Sequence, residues 1–183
     1  MFRRRETKIQ LTDPDIFRQF YEHTHLALYR YIYGLHGGPR EDVEDLTAEA
    51  YLRAWNARRR FEGSAGAAKS WIYRIARNLV IDNSRREKSR GLPEPINLSS
   101  LAAEGDQPEP AALRSDLQAR LWQRLQALSV QQREILVLRY LAGWRVKAIA
   151  EHLEMNENTV SVNIRRGLSK LKASWSRSEE THG

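Results

Sequence analysis

KSWIYRIARNLVIDNSRR, residues 69–86, decides how the chain folds. Ile72, Ile75, Ala76 and Leu79 fall at i, i+3, i+4 and i+7, one apolar stripe of a helix. Arg74, Arg77, Asn78, Ile81 and Arg85 project elsewhere, and Trp71 and Tyr73 stand near the start, behind the small-residue run EGSAGAAKS. A helix that buries one side and offers arginines, an amide and two aromatics is suited to nucleic acid. Arginine neutralises phosphate, amides read base edges, and an aromatic face stacks on an unpaired base. A solvated basic face with Trp71 in a core fits the same residues, so this stretch alone does not separate the two readings.

Working upstream, Asp13-Pro14-Asp15 reads as a helix start: an acid at the cap, proline at the first helical position, an acid in the first turn. Phe17, Phe20, Leu28, Tyr31 and Leu35 carry that helix to the glycines and proline of Gly34–Pro39. Residues 1–12, basic and unpatterned, are expected to form a loose arm. A second helix is expected from Glu41 or Asp42, with Val43, Leu46, Ala50, Ala54 and Trp55 on its apolar side. Its acidic start (Asp42, Glu44, Asp45, Glu49) and basic end (Arg58 to Arg60) match the helix macrodipole, so stability alone explains the charge order. Phe61–Ser70, with Gly63, Gly66 and three alanines, is expected to be a loop.

Charge then changes sign along the chain. From Arg53 to Arg90 eleven Lys/Arg face three Asp/Glu, whereas from Gly91 to Ala119 one Arg faces five acids. The second segment also holds Pro93, Pro95, Pro108 and Pro110 and has no aromatic residue, which marks an extended linker. The expected organisation is an arm (1–12), a helical domain (13–90), an acidic linker (91–114), a second helical domain (115–175) and a tail (176–183). A helix from Ala111 or Ser115, carrying Leu117, Leu121, Leu125 and Leu128, would open the second unit.

That unit is densely patterned. Ser129 and Gln132 have capping-box spacing, with Ile135, Leu136 and Leu138 in a helix ending near Gly143. Val146, Ile149, Ala150 and Leu153 make a short helix. After a tight connection at Glu154–Asn156, Asn156 caps a final helix with Val160, Ile164, Leu168 and Leu171 inward. Short helix, tight turn and longer helix is the helix-turn-helix arrangement. It leaves Asn158, Thr159, Ser161, Val162, Asn163 and Arg166 outward, where amides, hydroxyls and an apolar group can meet major-groove edges. Arg165, Arg166, Lys170 and Lys172 are better placed for phosphates. A small helical bundle with a basic surface is the competing reading.

The 183 residues carry a formal net charge of +7 and no cysteine, with a pI near 9.9. The charge points to a polyanion or an acidic protein surface as partner. Missing thiols exclude disulfides and thiolate metal sites and fit a reducing compartment. Phe2 to Arg5 is basic, but no apolar signal core follows, and no run approaches the roughly 18 apolar residues of a membrane span. A cytoplasmic protein without membrane insertion is expected. His23 and His25 point in different directions, and His152 beside Glu151 and Glu154 has no matching ligand set and reads as an exposed helical histidine. No phosphate-cradling glycine loop or nucleophile with an orienting partner is present. No enzyme, cofactor or metal site is therefore expected.

Taken together, the segments resemble the extracytoplasmic-function (ECF) sigma factors of the sigma-70 family, over nearly the whole chain beyond the arm. Glu44–Trp55, EDLTAEAYLRAW, is similar to the family's segment that docks on the clamp of the polymerase β′ subunit. This implies core-polymerase contacts by Asp42, Asp45, Leu46, Glu49, Arg53 and Trp55. Trp71–Asp82, WIYRIARNLVID, is similar to the promoter-opening helix that reads the minus-ten element. The resemblance implies roles there for Ser64, Lys69, Trp71, Tyr73, Arg74, Arg77, Asn78, Asp82, Arg85 and Arg86, with Glu62–Ser70 capturing a flipped non-template base. Leu128–Leu171 is similar to the fourth region, which reads the minus-thirty-five element and touches the β flap. This implies DNA contacts by Arg145, Lys147, Asn158, Thr159, Ser161, Val162, Asn163, Arg165, Arg166 and Lys170. The acidic linker would thread the polymerase's RNA path.

The resemblance has departures. Ala48 stands where the family usually has Gln, and Arg145 where Ser or Thr commonly caps a helix. Lys147 and Ala148 replace an acidic pair, and Glu154 a frequent turn glycine. Ser161 and Asn163 fall where Lys and Arg are frequent, so the promoter preference is expected to differ from the family average. Gly167, inside the last helix, costs about 1 kcal/mol relative to alanine unless close packing requires it.

The expectation is thus an all-helical, two-domain ECF sigma factor acting with core RNA polymerase on promoter DNA, with an anti-sigma factor as a further partner. An autonomous helix-turn-helix regulator with an N-terminal sensing or dimerising domain is the alternative, and a scaffold for acidic proteins a third reading. Whether the two domains pack on each other in the free chain is left open at this level.

Overall fold

The computed structural model describes residues 8–89 and 120–179. The first domain is three helices: α1 (Pro14–His36), α2 (Arg40–Ala57) and α3 (Ala65–Ser89), with a 3₁₀ turn (Arg58–Arg60) after α2. α1 starts where the sequence places it. The Asp13 carboxylate accepts from the Asp15 amide at 2.8 Å and the Ile16 amide at 3.4 Å, behind Pro14. Such a cap is worth about 1 kcal/mol. Gly37 ends α1 in the left-handed region (φ 66°), returning its N–H to the Tyr33 carbonyl. Phe17, Phe20, Leu28, Val43, Ala50, Ala54, Ile72, Ala76 and Leu79 meet in the core between the helices.

Two expectations at the start of the domain need correction. Residues 8–12 are not loose: the Ile9 amide donates to the Gly63 carbonyl at 2.9 Å, and Leu11 is buried. An apolar residue without periodic neighbours gave no sign of this. The loop before α3 is also shorter than Phe61–Ser70, because α3 begins at Ala65. The alanines that read as loop are strong helix formers, and the Ser64 hydroxyl accepts from the Ala67 amide at 3.3 Å.

The second domain follows its pattern closely. Residues 120–126 form α4, followed by α5 (Val130–Leu136), a π-helical turn (Val137–Leu141), α6 (Val146–Leu153) and α7 (Glu157–Glu179). Ser129 caps α5 by accepting from the Gln132 amide at 3.3 Å. The reciprocal half of the capping box is given up: the Gln132 side chain instead accepts from Lys170 Nζ at 3.2 Å. Leu168, expected inward, is 42% exposed, while Val160 is fully buried. Gly167 is where α7 presses on α5, since a Cβ there would fall 2.9 Å from Leu136 Cδ1. The linker 91–114 and a helix start at Ala111 or Ser115 lie outside the described residues.

The two domains share one apolar cluster. The C-terminal half of α1 receives the π turn and α4. A Cβ at Gly34 would lie 2.7 Å from Val137 and 2.9 Å from Leu141, and one at Gly37 would enter the Trp122 indole. These glycines, which read in the sequence only as a helix end, are also where the second domain approaches the first.

Gly34 is helical, so a larger residue there suits α1 but not the domain contact. Overpacking of this kind costs about 1–3 kcal/mol. Gly34→Leu is expected to raise the radius of gyration in small-angle X-ray scattering while far-ultraviolet circular dichroism stays unchanged; an unaltered scattering profile would count against this contact.

Candidate nucleic-acid interface

Helix α3 presents two different surfaces. Arg74, Asn78, Asp82, Arg85 and Arg86 are exposed on one, opposite the buried stripe of Ile72, Ala76 and Leu79. Trp71, half-buried, stacks on Phe61 at 4.9 Å between ring centroids. Ser64 caps the helix beside Gly66, where an added Cβ would meet nothing closer than Ser64 Oγ at 3.7 Å. The start of α3 is therefore open to close approach.

The other surface is covered by the second domain. Tyr73, expected to offer a ring outward, is fully buried. Its ring packs at 4.8 Å against both Tyr31 and Trp144, and burial pushes its hydroxyl pKa up to about 12. The apolar stripe ran wider than the spacing implied because the second domain supplies a second hydrophobic face. Lys69 lies over Trp144, its Nζ 5.0 Å from the ring centroid, and burial lowers its pKa.

Arg77 is tied down by charge. Its Nε donates to both Glu134 oxygens, at 2.8 and 3.0 Å. The Tyr31 hydroxyl donates to the same carboxylate at 2.9 Å. Glu134 is 3% exposed, and burial, followed by the carboxylate's charge, drives the Tyr31 pKa well above its ordinary value. Arg74 and Glu154 approach only to 3.8 Å with both side chains largely exposed, a contact worth little. His152 is buried rather than exposed. Burial first, then Arg74 and Arg77, lowers its pKa to about 4, so it packs edge-on to Trp144 as a neutral ring.

The helix-turn-helix is built locally. Glu154 takes the left-handed conformation (φ 55°, ψ 43°) at the end of α6, which explains why glycine would suit this position. Asn156 then caps α7, its side-chain oxygen accepting from the Asn158 amide at 2.8 Å. Asn158, Thr159, Ser161, Arg165, Arg166 and Lys170 are exposed, while Val162 and Asn163 are half-buried. The Asn163 amide donates to the Thr159 carbonyl at 2.9 Å. Arg145 precedes α6 without a side-chain cap bond, and Lys147 lies 4.0 Å from Glu151. Arg145 shares a cleft of about 460 Å³ with Ser64, Gly66 and Lys69, which brings the starts of α6 and α3 together.

On the far side, Asp42, Asp45, Glu49 and Arg53 line a groove of about 470 Å³ with Asn83, Arg86 and Glu87. Arg86, grouped by sequence with the exposed row of α3, thus also borders the acidic face of α2. Arg53 Nε donates to Glu49 at 2.7 Å. Leu46 and Trp55 face inward, as their place on the apolar side of α2 implied, which leaves them less surface for the polymerase contact that the resemblance implied. Leu46 is 9% exposed; Trp55 packs edge-on to Phe17 at 4.9 Å, with the Arg58 guanidinium 3.5 Å above its ring.

Sequence reasoning missed Glu134, Trp144 and Trp122 as partners of the first domain. The one available signal was an acid set against the apolar run ILVL at residues 135–138, a place where a carboxylate must find a partner.

Comparison with known proteins agrees with this two-part architecture. The family model for sigma-70 region 2 matches residues 20–90, and that for sigma-70 region 4 matches residues 118–171. The ECF RNA polymerase sigma factor SigW of Bacillus subtilis is 28% identical over 180 residues, spanning 94% of this chain and 95% of the relative. BldN of Streptomyces coelicolor, also an ECF sigma factor, is 31% identical over 164 residues, 90% of this chain and 62% of the relative. Among solved structures, the sigma factor RpoE of Bartonella quintana, in complex with the anti-sigma factor NepR, has a similar fold. Its TM-score is 0.65 at 24% identity, covering 86% of this chain and 94% of that one. Two successive regions of one family, in order and together covering most of the chain, place it: the chain belongs to the ECF group of the sigma-70 family.

Proposed function

We propose that the chain is an alternative sigma factor that joins core RNA polymerase, directs it to its own promoters and works in the cytoplasm. The observation that carries this is the paired match to sigma regions 2 and 4, with an exposed polar and basic row on the helix of each that faces DNA. In this reading Arg74, Asn78, Asp82, Arg85 and Arg86 serve the minus-ten element with Trp71, Ser64 and Lys69. Tyr73 and Arg77 join them only once the second domain has moved. The helix-turn-helix reads the upstream element through Asn158, Thr159, Ser161, Val162 and Asn163, with Arg145, Lys147, Arg165, Arg166 and Lys170 on phosphates. The groove of Asp42, Asp45, Glu49 and Arg53 takes the polymerase clamp, and Leu46 and Trp55 support it from below. A partner of the anti-sigma kind, as RpoE has in NepR, would favour the closed arrangement.

Distance requires the domains to separate. The minus-ten and minus-thirty-five elements lie about 25 base pairs apart, or about 85 Å at roughly 3.4 Å per step. The starts of α3 and α6 line one cleft, so the closed form cannot serve both elements. Fully extended, residues 90–119 reach about 100 Å, enough for the separated arrangement. Promoter-specific run-off transcription by the chain with core polymerase tests the function; specific duplex binding without polymerase would instead favour an autonomous regulator.

Asp45→Arg places a cation in the groove and is expected to abolish pull-down of core polymerase without altering circular dichroism. Arg165→Ala and Arg166→Ala are expected to weaken promoter binding across sequences and to reduce the salt slope by about 1 per lost phosphate contact; loss of preference at a single base pair would instead make these arginines base readers. Breaking a buried charge pair costs about 3–5 kcal/mol, and the half-exposed Arg77 places Glu134→Gln at or below the low end of that range. This variant is expected to open the chain, raising acrylamide quenching of Trp122 and Trp144 and tightening binding of a single-stranded minus-ten oligonucleotide about tenfold. Unchanged quenching would remove Glu134 as the closing contact.

A further inference from the structure

We propose that His36, Asp42 and Glu87 form a binding site for one divalent transition-metal ion, of the zinc or cobalt class. His36 is the last residue of α1, Asp42 stands in the first turn of α2, and Glu87 lies near the end of α3. A ligand atom from each lies within 4.8 Å of the other two.

The histidine makes this more than an acidic cluster. Its side chain is 2% exposed, and its Nε2 is buried with no hydrogen-bond partner. An unsatisfied buried polar atom costs about 1–3 kcal/mol, and here it is aimed at two carboxylates. Asp42 Oδ2 is 3.8 Å from it, too long for a hydrogen bond. Around a tetrahedral ion with bonds of about 2.0–2.1 Å, neighbouring ligand atoms sit about 3.3 Å apart. The 3.8 Å between His36 and Asp42 is therefore closer to coordination than to a direct hydrogen bond. Asp42 and Glu87 are partly exposed and can close the remaining distance, whereas the buried ring is held in place.

The surroundings fit the same purpose. A Cβ at Gly38 would fall 2.6 Å from His36 Nε2, so only glycine leaves the ring's donor atom unobstructed. Asn83 Nδ2 donates to Glu87 Oε1 at 2.8 Å, orienting that carboxylate and leaving its other oxygen free; supports of this kind raise ligand affinity. One imidazole and two carboxylates suit zinc, cobalt or nickel rather than magnesium or calcium, which take oxygen alone. Asp42 and Glu87 also line the α2–α3 groove, which leaves a fourth position open to water. Bound there, the ion would cross-link the three helices of the first domain. The site stands on this geometry whether or not the groove receives polymerase.

The test uses the full chain, stripped with a chelator and titrated with Co²⁺ as a spectroscopic probe, then with Zn²⁺ in competition. One equivalent of Co²⁺ per chain is expected, with the visible absorption of a four- or five-coordinate ion that Zn²⁺ abolishes. Glu87→Gln, a partly exposed change that leaves the core intact, is expected to weaken binding at least about tenfold. His36→Gln is expected to remove it. Zn²⁺ is also expected to raise the melting temperature of the unaltered chain and not of Glu87→Gln. No stoichiometric Co²⁺ binding, or binding that Glu87→Gln and His36→Gln leave intact, overturns the proposal.

Discussion

A single carboxylate, buried at the junction of two domains, governs the closed molecule. Glu134 takes the Tyr31 hydroxyl from α1 and the Arg77 guanidinium from α3. Leaving such a charge unpaired out of water is costly enough that the domains must either meet at this point or expose it again. Because one partner, Arg77, is itself a candidate DNA contact, closure and DNA reading draw on the same side chain.

Apolar packing completes the contact and gives it direction. Gly34 and Gly37 allow Val137, Leu141 and Trp122 to reach the α1 backbone. Trp144 closes over Tyr73, beneath the Lys69 ammonium. The π turn matters here, since its Val137 and Leu141 are the side chains set against α1 at Gly34. In the proposed reading Tyr73 and Lys69 find new partners on opening, because a base can stack on an aromatic ring and phosphate can neutralise an ammonium. In that reading the closed face is chemically matched to the nucleic acid it excludes.

The acidic groove of α2 and the Asp82, Arg85 and Arg86 end of the α3 row lie outside this contact, whereas Arg74 and Asn78, though exposed, border it beside Glu154. In the proposed reading, polymerase docking and promoter reading are therefore separable in the same chain: the first surface is ready, and half of the second is withheld. Glu154 and Gly167 show a smaller version of the same economy. Each keeps an unfavourable local conformation or propensity because the turn or the α5–α7 contact requires it.

Most helices were legible in the sequence because their signals are local. The Asp13 and Asn156 caps, the stripe of α3 and the tight turn before α7 each involve residues within a few positions of one another, and the structure follows them. The family could be read for the same reason, from short segments in order. The buried Tyr73 and His152, the exposed Leu168 and the tethered Leu11 were not legible, since each depends on what another element brings against it or leaves open; the helix start at Ala65 was misread from local signals, the alanines and the Ser64 cap. Tyr31 and Glu134 are 103 positions apart, and no periodicity links them. By itself the sequence determined which stretches coil and which faces are apolar, because those follow from the spacing of neighbouring side chains. Only the tertiary structure decided which apolar and charged faces are used up inside the molecule, because burial is settled by contact between distant segments.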